Sequence, residues 1–589
     1  MTEFIRTRTP LKLPGRDSDS SVARGGEERA STSESEASTS APGPLTPAWQ
    51  ILGPMLRLPF EAALAERQAA QAEAPEHGGG GLSQLLRKRR RAAEERRRQR
   101  GGSVRDPGRS IAIVTTASLP WMTGTSVNPL LRAAYLARDG TRRVTLLLPW
   151  LAPSDQLAVH PGHTFSTPAE QTAYVREWVA DRVGFAPDIK FTFYPGRWAP
   201  DKCSILPVGD ITAYVPDAEA DVAVLEEPEH LTWYHHGVRW TDKFAHVVGV
   251  VHTNYLEYAR REENGGVKEA VLRFVNSWVV RAYCHKVVKL SDAVQQLPRA
   301  QTCFVHGVSP RFLSIGEQRA QRFHAQQTRD TQPPGAEQAG EAGQEEGEKD
   351  KGVYFIGKVV WGKGYTELLD LVQKHCGSAA GASAPLSVDV FGGGDDLAAV
   401  RSSAQQRNLP LHFCGPRDHA HASLRPYRVF VNPSLSDVVA TTTAEALAMG
   451  KWVVVAQHPS NAFFTGRFRN CLTYSSAAEF SAHLARALNE APSPLSEEER
   501  AALSWEAATE RFMDAAEPNS VDRGRRPAAF VEGVADWAAA QLHQTLTGVE
   551  PLRGLAGAGP NTLRAPENLD TWRPCRWTGG PLDRPSLKR

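Results

Sequence analysis

The sequence predicts an α/β protein of two consecutive doubly wound domains, each a parallel sheet with helices on both faces. Three observations predict it. Short apolar runs rich in β-branched residues recur from residue 111 onward. Helix-like segments lie between several of them. A Gln-, Glu- and Gly-rich stretch at 317–351, almost without apolar residues, splits the runs into two series.

The first series runs through 111–115, 144–148, 189–193, 222–225, 247–251 and 287–290. Residues 129–137 and 168–183 are expected as helices between them, one beginning near Pro129. The second series runs through 353–356, 388–391, 411–413, 429–432 and 452–456, with 365–374 as one of its helices. The expected domains are 109–316 and 352–515. Residues 317–351 are expected as a disordered insertion at the interdomain connection, because they cannot bury enough apolar surface to offset ordering entropy.

The flanks differ. Residues 1–108 carry 18 basic and 14 acidic side chains, a net of +4, and the remaining chain is −2. The overall charge of +2 therefore belongs to no single folded object. Near-neutral charge excludes a dedicated nucleic-acid binder, so no nucleic-acid partner is expected. Residues 1–45 read as a disordered tail. A cleaved transit peptide is one reading of them, weakened by Asp17, Asp19, Glu27, Glu34 and Glu36. Residues 46–72 carry an apolar helical face interrupted by Pro54 and Pro59. Residues 87–100 hold nine basic and two acidic residues. They are either a solvated tail, a nuclear or nucleic-acid patch, or an attachment to an anionic lipid surface, where each basic residue adds about 1 kcal/mol. Beyond 516 a helix is expected at 530–546, then irregular chain to 589. Seven scattered cysteines make no disulfide framework and point to a reducing compartment. No apolar run approaches the roughly 20 residues a membrane span needs.

Doubly wound domains bind ligands in the crevice beyond the strand C-termini. After the first strand, Thr115 to Thr125 form a loop in which Gly124 and Thr125 let backbone N–H groups approach an anion. After 247–251 comes His252-Thr253-Asn254. His252 faces the crevice by topology and can orient a bound hydroxyl or shuttle its proton; a capping or core histidine is the alternative. Glu226, Glu227 and Glu229, with His235 and His236 after them, are too nearly consecutive to converge on one point, so no metal site is expected.

The second domain is more informative. Gly357-Lys358 and Lys363-Gly364 place two lysines five residues apart beside glycines at a strand-to-helix loop, an arrangement suited to a diphosphate. An exposed lysine pair is the alternative. Gly393 lies in a Gly392–Gly394 turn that fits a nucleotide cradle or a plain flexible turn. The most specific element runs from Asn432 to Gly450. In it Asp437 can meet a polar ligand head, Thr441 and Thr442 offer N–H groups at a helix start, and Glu445 can accept from ribose hydroxyls.

These residues resemble glycosyltransferase family 4, of the GT-B architecture. Gly357-Lys358 and Lys363-Gly364 resemble its Gly-Arg/Lys…Lys-Gly element. Glu445 matches the second acid of its Glu-x7-Glu element, and Asp437 stands where the family has the first Glu. Val305-His306-Gly307-Val308 resembles its interdomain Asn-Gly-Val, with His for Asn. Within the family, longer strings (TTASLPWMTGTSVNP from Thr115, LEEPEHLTWYHHG from Leu225, RWTDK from Arg239, VHTNYLEY from Val251, RAYC from Arg281, Asp418–Ala420, Ser434–Lys451 and LSWEAATERF from Leu503) resemble the digalactosyldiacylglycerol synthases of plastids.

The resemblance implies transfer of galactose from UDP-galactose to monogalactosyldiacylglycerol, with retention at the anomeric carbon, on the outer membrane of the chloroplast envelope as a peripheral protein. It implies no cofactor and no metal. Lys358 and Lys363 would neutralise the leaving diphosphate, and Glu445 would hold the ribose. Asp437 would hold the donor sugar, with Gly393, Thr441 and Thr442 beside it. Gly124 and Thr125 would approach the phosphate. Trp121, His252 and Asn254 would face the acceptor, with His252, Asp437 and Lys363 nearest the chemistry. Another GT-B glycolipid enzyme transferring glucose or sulfoquinovose, and a non-catalytic lipid-binding protein, are the alternatives.

Overall fold

The computed structural model describes residue 95, residues 102–518 except 161, 201, 234–236, 261–264, 331–350 and 384, and residues 535–543 except 537. Most of the N-terminal tail, the His235-His236 pair, the core of the 317–351 insertion and the chain beyond 543 lie outside the described residues.

The first sheet is built from β1 (Ser110–Val114), β2 (Arg143–Trp150), β3 (Ile189–Ala199), β4 (Ser204–Pro207), β5 (Val222–Glu226), β6 (His246–Val251), β7 (Lys286–Lys289) and β8 (Ala300–Thr302). The order is β4-β3-β2-β1-β5-β6-β7-β8. All its pairings are parallel except that of β3 with β4. The second sheet comprises β9 (Lys351–Ile356), β10 (Val388–Phe391), β11 (Leu411–Gly415), β12 (Tyr427–Asn432), β13 (Trp452–Ala456) and β14 (Cys471–Tyr474), in the order β11-β10-β9-β12-β13-β14 and wholly parallel. Both orders turn back at the first strand of the domain, β1 in one and β9 in the other. That reversal opens a crevice at the strand C-termini, where ligands of doubly wound folds bind. The fold is the expected GT-B arrangement of two such domains.

The central strands are buried on both faces, which is why they read as continuous apolar runs. Sequence reading missed β4, β8 and β14. β4, Ser204–Pro207, is too short for its apolar residues to stand out, and β8 is exposed and mostly polar, so it carries no apolar run.

Four boundaries are corrected. Residues 102–108, assigned to the tail, belong to the first domain. Val104 is buried in its core, Val104 N–H donates to Glu517 at 3.1 Å, and Arg105 pairs with Glu510 at 2.5 Å and Asp514 at 2.7 Å. Residues 317–330, assigned to a disordered insertion, continue the helix Pro310–Asp330. Phe312 and Ile315 anchor the start of that helix in the second core, so the chain crosses between domains earlier, at Phe304–Ser309. The helix Trp505–Ala516, assigned to the second domain, returns to the first: Trp505, Phe512 and Met513 are buried in its core. Its end is held by His246 Nε2 bonded to the Ala516 carbonyl at 2.8 Å and Lys286 Nζ donating to the Glu517 carbonyl at 2.9 Å.

The two crossings run side by side. Val308 bridges Ser504, and a methyl group on Gly307 would lie 2.6 Å from the Trp505 backbone. Only glycine permits that approach.

The fourth correction concerns the first ligand loop. The helix expected near Pro129 begins at Gly124 and runs to Ala137. At its start the Ser126 hydroxyl takes the Thr123 N–H at 3.1 Å, while the Ser126 N–H donates to the Thr123 carbonyl at 3.1 Å. Pro129 cannot donate to the carbonyl four residues back. That carbonyl, of Thr125, accepts the Thr115 hydroxyl instead. An interior proline is tolerated because the end of β1 supplies the missing donor.

Candidate active site

The loop between β9 and the helix Tyr365–Cys376 carries both lysines. Gly364 sits at φ +88°, and a Cβ there would stand 2.8 Å from Ser434 Cα. The Ser436 hydroxyl donates to the Gly362 carbonyl at 2.5 Å. These two contacts dock the lysine loop onto the loop after β12. Lys363 Nζ consequently pairs with the Asp437 carboxylate. Two residues read as separate donor contacts are brought together. Lys358 stays exposed, 3.8 Å from Asp395.

Thr441 opens the helix Thr441–Ala448, whose start has no side-chain cap. The N–H groups of Thr441 and Thr442 at such a helix start are of the kind an anion site uses. Glu445, one turn on, bonds His419 Nδ1 at 2.6 Å. Burial alone would lower the pKa of His419. The Glu445 carboxylate, with Asp418 beside it, outweighs that and raises it. The contribution of this pair to stability is therefore fully present below the ordinary value of 6.5 and lost as pH rises through the raised one. We expect the melting-temperature gap between wild type and His419→Gln to shrink as pH is raised above neutrality. A gap independent of pH would refute the charged pair.

The glycine turn after β10 divides by role. A methyl on Gly392 would meet the Gly357 carbonyl at 1.9 Å, and one on Gly394 the Val359 carbonyl at 2.3 Å. Gly393 has nothing within 4 Å. Gly393→Ala should keep the melting temperature of wild type, while Gly392→Ala, at φ +146°, should cost about 1–3 kcal/mol, read by urea denaturation. Equal stability of the two would show that the turn relaxes freely.

The second-domain site touches the first domain. The Ser291 hydroxyl, just past β7, donates to the Val438 carbonyl beside Asp437. Arg182 pairs with Asp418 at 2.6 Å, next to His419. His458, just past β13, lies in the fields of Asp437 and of Glu257 from the first domain; burial, the larger effect, holds its pKa below the ordinary value.

On the first-domain side, Gly124 and Thr125 form the start of their helix. Trp121 packs edge-on against Trp198 at 5.5 Å, beside the exposed Met122. Asn254 Nδ2 donates to the Ala293 carbonyl at 2.9 Å, and its oxygen accepts the Glu257 N–H at 3.4 Å. It braces the loop after β6. His252 Nε2 bonds Glu226 at 2.5 Å.

The acidic run at the end of β5 takes three different environments. Glu226 is fully buried; burial pushes its pKa up, but the Arg132 guanidinium, 2.8 Å away, and His252 hold it below the ordinary range. Glu227, at φ +69°, accepts the hydroxyls of Thr116 and Thr253. Burial, with the Glu227 charge nearby, pushes the Glu229 carboxyl up to about 8. Among the described residues no group of three or more His, Cys, Asp or Glu is placed to hold a metal ion.

Sequence reading missed His419, His458, Ser291 and Arg132. Only His419 lay within a quoted string, Asp418–Ala420. The others act through partners far along the chain.

Two doubly wound domains with phosphate-ready loops at their strand ends have the architecture of GT-B glycosyltransferases, and residues 350–490 match the family model described as glycosyl transferases group 1. The chain is 48% identical over 487 residues to digalactosyldiacylglycerol synthase 2, chloroplastic, of Arabidopsis thaliana, covering 81% of this chain and 97% of that one. It is 50% identical over 477 residues to digalactosyldiacylglycerol synthase 1, chloroplastic, of Glycine max, covering 78% of this chain and 58% of that one. This chain belongs to the digalactosyldiacylglycerol synthase family. It spans little more than half the length of the synthase 1 relatives, 58% in Glycine max and 54% in Arabidopsis thaliana.

Proposed function

We propose that the protein transfers galactose from UDP-galactose to monogalactosyldiacylglycerol, forming digalactosyldiacylglycerol with retention at the anomeric carbon. The observation that carries this reading is the Lys363–Asp437 pair at the mouth of the second sheet, with Glu445 one helical turn from an uncapped helix start. A diphosphate entering there meets Lys363, Lys358 and the N–H groups of Thr441 and Thr442. Glu445 takes the ribose, and Asp437 the donor sugar. Charge on the leaving group is then neutralised by lysines and helix-terminus dipoles, so the reaction proceeds without a bound metal. The Ser291–Val438 and Arg182–Asp418 contacts are consistent with closure of the domains over the donor, which excludes water.

The relatives named above are called chloroplastic, and we place this protein in the chloroplast, peripherally on the outer envelope membrane. Among the described residues no helix is long and apolar enough to cross a membrane. An anionic lipid surface is the proposed partner of the basic run 87–100.

The test is a lipid product assay with UDP-galactose and monogalactosyldiacylglycerol, read by thin-layer chromatography and anomeric NMR. An α-linked second galactose formed in EDTA supports the reading. Product only from UDP-glucose or a sulfoquinovosyl donor would replace the donor, and loss of activity in EDTA restored by a divalent ion would overturn the metal-free mechanism.

A further inference from the structure

Behind His252 lies a buried charge network that the donor site does not use. Arg132 and Glu226 are both fully buried, and the His252 side chain is 5% exposed. Arg132 Nε donates to Glu226 Oε1 at 2.8 Å, and His252 Nε2 meets Glu226 Oε2 at 2.5 Å. Another Arg132 nitrogen donates to the Val305 carbonyl at 3.0 Å, at the interdomain crossing, and its guanidinium lies 4.6 Å over the Phe512 ring. The His306 ring packs 5.1 Å from that of His252. Neither His306 ring nitrogen has a hydrogen-bond partner, and burial, with His252, Arg132 and Arg511 nearby, holds His306 neutral. His306 therefore adds no charge beside His252.

We propose that Glu226 is a positioning residue for the transfer: it fixes the ring and tautomer of His252, so that Nδ1 is the atom offered to a ligand hydroxyl. An ionised carboxylate only accepts, so the proton it shares with His252 must sit on Nε2. In the neutral ring that leaves Nδ1 unprotonated, an acceptor for the hydroxyl of a bound sugar. The role at the sugar rests on the proposed galactosyl transfer; the tautomer does not.

The decisive variant is Glu226→Gln. Arg132 needs an acceptor and takes the amide oxygen, which turns the amide NH2 toward His252. His252 Nε2 must then accept, and its proton moves to Nδ1. The ring stays in place but offers the wrong atom. Nδ1 can then only donate to the ligand hydroxyl and no longer accepts its proton, so kcat should fall by about 10- to 100-fold with a smaller change in KM. Glu226→Asp, which keeps the charge, should recover part of the loss.

The tautomer is read directly by 15N–1H NMR of the full chain labelled at the histidine rings, the His252 signal assigned by its absence in His252→Gln. The wild type should show the Nε2–H form, and Glu226→Gln the Nδ1–H form. An Nδ1–H or doubly protonated ring in the wild type overturns the proposal, and that measurement needs no variant other than the assignment control. A folded Glu226→Gln with wild-type kcat overturns it as well. An Nε2–H ring in a wild type that transfers no galactose leaves the tautomer assignment standing and removes the reading of the function.

Discussion

We expect Lys363→Ala to lower the proposed UDP-galactose turnover by on the order of 10²–10³-fold and to leave the fold intact. The size follows from what the ammonium does in the proposed mechanism. It faces charge that develops on the diphosphate as the glycosidic bond breaks, so its loss weighs on the transition state more than on ground-state binding. Lys363 also holds Asp437, and the alanine variant leaves that carboxylate without its cation. The fold survives because the Lys363 side chain is 35% exposed, while the loop is held by other groups: the Ser436 hydroxyl on the Gly362 carbonyl, and Gly364 against Ser434. Steady-state kinetics beside a thermal melt check both halves. Unchanged kcat would remove Lys363 from the donor site, and a collapsed melt would show that the pair is structural.

Arg132→Met is expected to destabilise the protein by about 3–5 kcal/mol, because it strands the buried Glu226 charge without its arginine partner. The sign with pH follows from the depressed carboxyl. Its stabilising contribution is present above the ordinary value of 4.5 and lost as pH falls through the folded value. The gap between wild type and Arg132→Met should thus be widest near neutrality and narrow in acid. Urea denaturation at several pH values reads it. A gap below about 1 kcal/mol at neutral pH, the range of exposed pairs, would show that Glu226 is compensated elsewhere. The pair Arg132→Met/Glu226→Leu should recover much of the loss, since an apolar replacement of both partners leaves no stranded charge.

Much of the architecture was legible because burial leaves a local trace. A strand covered on both faces is apolar over most of its length, and β1, β5, β6 and β13 are, with Ser110, Glu226 and His246 standing only at strand ends. The lysine pair and the Asp437–Glu445 segment were legible for a similar reason, since their spacing within one loop or one helical turn is set locally. β8 left no such trace, because it is exposed and polar. The start of the first ligand helix was misread at Pro129 because its missing hydrogen bond is offset by Thr115, on a different element. Arg132 drew no notice for the same reason: it sits 94 residues from Glu226, and nothing in its helix distinguishes it from a solvated arginine.

By itself, then, the sequence determined two parallel-sheet domains, the loops that carry Lys358, Lys363, Asp437 and Glu445, and the family. Only the tertiary structure decided which side chains meet. It closed Lys363 onto Asp437 and His419 onto Glu445, set His252 against a buried Glu226–Arg132 pair, and carried the Trp505–Ala516 helix back to the first domain. The physical reason is range. Periodicity and spacing report what one element needs from its immediate surroundings, whereas a buried ion pair or a domain crossing is satisfied by groups whose distance along the chain carries no information about their distance in space.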